Sequence, residues 1–140
     1  MRCIGRDRLN GSSGNDTLIG GGSIDRFIFN TNEEFQSEDV GIDEITDFSQ
    51  TQGDIILLDL TTFTAIDSSS GTGFRIADEF AIVENNQEAA TSDAVIVYNS
   101  SNGRLFYNPN GSTASFGSGG RFATLTNTPS LEAEDFFLRN

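Results

Sequence analysis

The chain has 140 residues and a mass of 15.1 kDa, with 21 acidic side chains against eight basic ones and a formal net charge of −13. All eight basic residues are arginine and the pI is near 4.1, which excludes nucleic acid as an electrostatic partner and points to cations. With no histidine and a single cysteine, Cys3, the chain has no HExxH zinc site, no Ser-His-Asp or Cys-His nucleophile, no intrachain disulfide and no thiolate cluster. The longest aliphatic run, Ile55-Ile56-Leu57-Leu58, falls far short of the roughly 20 residues that span a bilayer, so no membrane insertion is expected. The first six residues carry positive charge without an apolar stretch of about 7–15 residues, so no cleavable secretory signal is predicted. A cytosolic protein, or one exported by a route that does not read its N-terminus, is expected.

Residues 2–28 divide without gaps into three blocks of nine, RCIGRDRLN, GSSGNDTLI and GGGSIDRFI. The sixth position is aspartate in each, Asp7, Asp16 and Asp25, and the eighth is large and apolar, Leu9, Leu18 and Phe27. The fourth is glycine in the first two, Gly5 and Gly14, and Ser23 in the third; the last two blocks open on Gly11 and Gly20. A flexible linker has no reason to set an apolar residue two positions after every aspartate. The pattern predicts a tight turn over the first six residues of a block, where glycine permits positive φ, and a short strand over the last three. Successive blocks then alternate between two sides, with blocks one and three stacked at about 4.8 Å and block two opposite. Carboxylates of Asp7 and Asp25 at that spacing repel unless a cation lies between them. Ca²⁺ accepts about 6–8 oxygens, carboxylate and carbonyl alike, whereas Mg²⁺ demands an octahedron and zinc prefers the His and Cys ligands this chain lacks. Calcium is the expected ion.

Beyond the blocks, short β-prone runs bounded by Gly, Asn, Asp and Ser predict strands at 26–29, 44–48, 54–60, 80–84, 94–99, 105–108 and 122–126. The turn Ser100-Ser101-Asn102-Gly103 predicts a hairpin between strands carrying Tyr98 and Tyr107. Brief helical turns are predicted at 86–91 and at 130–135, the latter with Ser130 as N-cap and acids in the first turn. Phe27, Phe29, Phe48, Phe63, Phe80, Phe106, Phe122, Phe136 and Phe137 are read as core. Asp43 and Asp47 have two readings, as solvated acids flanking Ile45 and Phe48 or as the completion of a calcium site opposite Asp16. Glu34, 18 positions after Asp16, is a further candidate for that place.

The blocks follow the GGxGxDxUx pattern, and the chain resembles the repeats-in-toxin (RTX) family of haemolysin-type calcium-binding proteins. Asp43-Glu44-Ile45-Thr46-Asp47-Phe48 and Gly53-Asp54-Ile55-Ile56-Leu57 look like the segment closing such rolls in secreted metalloproteases. Residues 93–138 are similar to the tail of the serralysin-type C-terminal domain, in the hairpin AVIVYNSSNGRLFYNPNGS and in RFATLTNTPSLEAEDFFL. The resemblance implies an all-β fold, a short right-handed parallel β-roll over residues 1–60 capped by an antiparallel β-rich region over 61–140, the two forming one compact unit. It implies Ca²⁺ held by Asp7, Asp16 and Asp25, with Gly11, Gly14, Gly20 and Gly21 supplying carbonyls or turns, and export by a bacterial type I secretion apparatus that reads a C-terminal signal. Arg2-Cys3 and Ser23 depart from the pattern.

The expected function is therefore calcium-dependent folding of a secreted or cell-surface bacterial module. No G-x-S-x-G, Walker loop or strand-borne G-x-G-x-x-G occurs, and no enzyme is expected. Since three blocks make about one and a half coils, the uncovered N-terminal edge suggests pairing with a second copy or with further repeats. Two alternatives are a non-catalytic tail of a secreted enzyme and an adhesive or carbohydrate-binding module. The adhesive reading requires Tyr98 and Tyr107 to be exposed on one face.

Overall fold

The computed structural model describes residues 3, 4, 6–10, 14–31, 33–36, 41–109 and 119–139. Gly11 lies outside the described residues. The repeat blocks supply β1 (Cys3–Ile4), β2 (Arg8–Leu9), β3 (Thr17–Leu18), β4 (Gly21–Gly22) and β5 (Arg26–Phe29). They are followed by β6 (Asp43–Ile45), β7 (Ile55–Asp59), β8 (Gly71–Thr72) and β9 (Phe80–Val83). A helix, α1 (Asn86–Thr91), then precedes β10 (Ile96–Asn99), β11 (Arg104–Tyr107), β12 (Gly120–Leu125) and β13 (Phe136–Arg139). The described chain is thus mostly β.

Block chemistry explains the first strands. The turn residue at the fourth position takes a left-handed backbone, with φ of +98° at Gly14 and +68° at Ser23, which swings the chain out of one strand and into the next. The strand then begins just after the aspartate, and its apolar residue turns inward: Leu9, Leu18 and Phe27 are all buried.

Two large sheets result, ordered β2-β5-β7-β13-β8 and β3-β6-β12-β11-β10-β9, with β1 and β4 forming a separate parallel pair. From β2 the path runs to β3, β5, β6 and β7, changing sheet at each step and laying every strand parallel to its predecessor in that sheet. Arg8 stands opposite Arg26, Leu9 opposite Phe27, and Leu18 opposite Ile45. After an excursion through β8 to β11, β12 and β13 rejoin the same course, parallel to β6 and β7 with partners 80 residues apart. Each large sheet therefore contains strands from both sides of residue 60. The C-terminal region, expected to be antiparallel, is mixed: β10–β11, β11–β12 and β8–β13 are antiparallel, whereas β9–β10 and the docking of β12 and β13 are parallel.

The principal core draws on both sheets, from Leu9, Phe27, Ile56 and Leu58 on one and Leu18, Ile45, Tyr98 and Leu105 on the other. Its aromatic centre joins Phe35, Phe63, Tyr107 and Phe122, with ring centroids 4.8–5.6 Å apart for the closest pairs in tilted and edge-on geometry. A smaller cluster of Ala89, Ala94, Val97 and Phe106 packs α1 against β10. The Asn85 side chain caps α1 by accepting from the Glu88 N–H at 2.8 Å.

Three expectations change. Tyr98 and Tyr107 lie in the core rather than on a face; the Tyr98 hydroxyl donates to the Pro129 carbonyl and the Tyr107 hydroxyl accepts from the Ala65 N–H. Burial pushes the Tyr98 phenol up to about 12. The second helical turn is a 3-10 turn at Ala133–Asp135 capped by Glu132 and Asp135, not by Ser130, because these two acids satisfy each other's N–H groups. Finally, Phe80 and Phe137 are half-buried, while the other phenylalanines read as core are buried.

Candidate metal centre

The block aspartates lie where neighbouring strands begin, and the structure joins them into ladders. The Asp7 N–H donates to Asp25 Oδ1 at 3.0 Å, while the Asp7 carbonyl accepts from the Arg26 N–H at 2.8 Å. The same pair of bonds recurs between Asp25 and Asp54, where the Asp25 N–H reaches Asp54 Oδ1 at 2.9 Å and the Asp25 carbonyl accepts from Ile55. In the other sheet the Asp16 N–H donates to Asp43 Oδ1 at 3.0 Å and the Asp16 carbonyl accepts from Glu44. One ladder therefore runs Asp7, Asp25, Asp54 and the other Asp16, Asp43. Separations of 18, 29 and 27 residues give one local geometry.

The partner of Asp16 is thus Asp43, not Glu34. Asp43 sits at the sixth position of a further in-phase copy, Gly41-Ile42-Asp43-Glu44-Ile45, whose glycine has φ of +69°. Phe35, next to Glu34, fills the aromatic centre. Gly41 packs so closely on the Gly14 carbonyl that a Cβ would overlap it, which ties the second block to this copy. The Asn15 side chain adds a bond from the Ile42 N–H at 2.8 Å. Asp54 belongs to the site although the nine-residue phase does not single it out. Its signal is the Gly53-Asp54 pair ahead of an apolar strand.

Asp47 acts on the turn between blocks two and three. Its two oxygens accept from the Gly20 and Gly21 N–H groups at 2.9 and 2.7 Å. A Cβ on Gly20 would overlap the Asp25 carboxylate, so the glycine leaves the room that Asp25 occupies.

Electrostatically the ladders are unbalanced. Burial, with the nearby Asp7 and Asp47 charges, raises the Asp25 carboxyl above its ordinary range despite the bond from Asp7. Burial and the Asp16 charge push Asp43 up to about 6, and burial with Asp25 and Asp47 raises Asp54. One oxygen on each block aspartate, Oδ2 of Asp7, Asp16 and Asp25, is buried without a hydrogen-bond partner. A buried carboxylate oxygen left unpaired costs about 1–3 kcal/mol or more, and three recur at equivalent places. Among the described residues, no group of three or more Asp, Glu, His or Cys side chains converges on one point. The carboxylates meet instead in pairs along the ladders, Asp7 with Asp25, Asp25 with Asp54 and Asp16 with Asp43, and offer hard oxygen donors of the kind Ca²⁺ takes.

Comparison with protein-family models, with curated proteins and with solved structures finds no match to this chain.

Proposed function

We propose that the chain is a calcium-binding module of the RTX type, in which residues 2–60 and their later parallel neighbours form a short β-roll whose folding Ca²⁺ completes. The observation that carries this reading is the recurrence of one orphaned, buried Oδ2 on each block aspartate, on ladders where like charges already face one another. A divalent cation supplies the partner those oxygens lack and offsets the repulsion. Asp7 with Asp25, Asp25 with Asp54, and Asp16 with Asp43 are the pairs that would hold it; Gly14, Gly20 and Gly21 shape the adjoining turns, and Asp47 fixes one of them.

The reading makes calcium part of the folding equilibrium. Extracellular calcium modules bind at about 10⁻⁴–10⁻³ M, so such a chain stays loosely folded where calcium is scarce and compacts where it is millimolar. With free Ca²⁺ at about 100 times the dissociation constant, one site adds about 2.7 kcal/mol. Bacterial export by a type I secretion apparatus, followed by folding outside, is the biological form of the proposal, and it assigns the chain no catalysis. The adhesive alternative loses its best support because both tyrosines it needs are buried.

The decisive experiment is a thermal melt followed by circular dichroism during calcium titration, with magnesium as control. A rise in β signal and Tm with calcium, and not with magnesium, supports the reading. Equal stability in a strong chelator overturns it.

A further inference from the structure

Three of the eight arginines gather in one place on a chain whose net charge is −13. Arg6, Asp7, Arg8, Ile24 and Arg26 line a pocket of about 210 Å³ beside the first turn of the ladder. Arg8 on β2 stands directly opposite Arg26 on β5, two cations on adjacent strands that repel across a parallel pair. An acidic chain has ample carboxylates to neutralise such a pair, yet none of these three guanidinium groups forms an ion pair among the described residues. The ion pair there joins Arg139 to Asp59. Asp7, the acid lining the pocket, forms no ion pair with them among the described residues, and its Oδ2 is buried without a partner.

We infer that the pocket formed by Arg6, Arg8 and Arg26 binds a phosphate group. Guanidinium forks match the oxygens of a phosphate two at a time, and strand pairing sets the Arg8 and Arg26 stems side by side to do so. Three cations against one carboxylate leave two positive charges, which a phosphate monoester with about −1.5 to −2 near neutral pH balances and a carboxylate does not. The Arg26 guanidinium rests 6.0 Å from the centroid of the Phe137 ring, on the β13 side of β5 and away from Arg8, so this arm swings back toward Arg8 to close on a ligand. The arginines on β11 and β12 differ: Arg104 and Arg121 share their depression with Glu44, so their excess charge is smaller.

The test is NMR titration of the full, folded chain with methyl phosphate, read at the arginine side-chain N–H signals, with acetate as the competing anion class. Saturable shifts at Arg6, Arg8 and Arg26 are expected, with affinity falling about tenfold for each of Arg8→Gln and Arg26→Gln and unchanged in Arg104→Gln. The amide spectrum of each variant reports whether it is folded, and Arg8→Lys, which keeps the charge and loses the fork, is expected to bind at an intermediate level. Co-sedimentation with phosphatidylcholine vesicles carrying phosphatidic acid distinguishes the source. Capture by those vesicles and not by phosphatidylcholine alone supports a lipid phosphate; methyl phosphate binding without capture supports a soluble ester. Shifts that do not saturate, that survive both glutamine substitutions, or that acetate reproduces at equal affinity overturn the inference.

Discussion

A methyl group at position 20 has nowhere to go, because the Asp25 carboxylate already fills its place. Gly20→Ala is expected to displace that carboxylate and, on the proposed calcium reading, to weaken calcium binding about tenfold while leaving the distant hairpin of β10 and β11 unchanged, which calorimetric titration checks. Gly41→Ala meets two obstacles, a φ of +69° and the Gly14 carbonyl, and is expected to cost more than about 1 kcal/mol in a denaturant melt. Ser23 presents the opposite case. Its φ of +68° is strained for any residue with a Cβ, and the repeat pattern elsewhere puts glycine there. Ser23→Gly relieves about 1–2 kcal/mol of left-handed strain against about 0.5–1 kcal/mol of added chain entropy, so a net gain of about 0–1.5 kcal/mol is expected from the same melt.

At the scale of strands and turns, Asp54 fastens the start of β7 by accepting from the Asp25 N–H and, through its other oxygen, from the Ser49 N–H at 2.9 Å. Asp54→Ala orphans both donors and is expected to destabilise by about 2–4 kcal/mol, with Asp54→Asn milder because its shape and one acceptor remain; equilibrium unfolding in urea measures both. How legible this was in sequence depends on phase. Asp7, Asp16 and Asp25 are visible because aspartate recurs every nine residues ahead of an apolar residue. Asp43 keeps that phase but follows a block without glycine or aspartate at the required places, so its pairing with Asp16 emerges only from β3 and β6 lying side by side. Asp54 stands two residues out of phase, since 29 rather than 27 residues separate it from Asp25, and no periodic search finds it. The strands at 80–83, 96–99 and 104–107 were legible as β-prone runs expected at 80–84, 94–99 and 105–108, and the helix was expected at 86–91. The parallel docking of β12 and β13 was not, because pairing across 80 residues leaves no local mark. Arg8 also bears on assembly, since β2 is a sheet edge and cations there oppose edge-to-edge pairing of two copies.

For the molecule as a whole, pH reads the ladders directly. In chelator, Asp25, Asp43 and Asp54 have folded carboxyls raised above their unfolded range, Asp43 to about 6. Protonation then favours the folded state, so this contribution is fully present below about pH 4 and is lost as pH rises through about 6. Asp59 runs the other way. Burial alone would raise it, but bonds from Thr61 and Arg139 hold it below its ordinary value, so its contribution is lost only in stronger acid. Chelated protein is therefore expected to show a lower Tm at about pH 7.5 than at about pH 5, and the proposed calcium-loaded protein a higher one, because the ion would compete with those same protons. Crossing Tm curves in scanning calorimetry check this; parallel curves contradict it. The position of β13 carries the last consequence. It lies between β7 and β8, and both neighbours are translated before it. A ribosome making the chain in order thus leaves the sheet with a gap at its fourth place until residues 136–139 have emerged, so the fold closes after synthesis of this stretch and not during it.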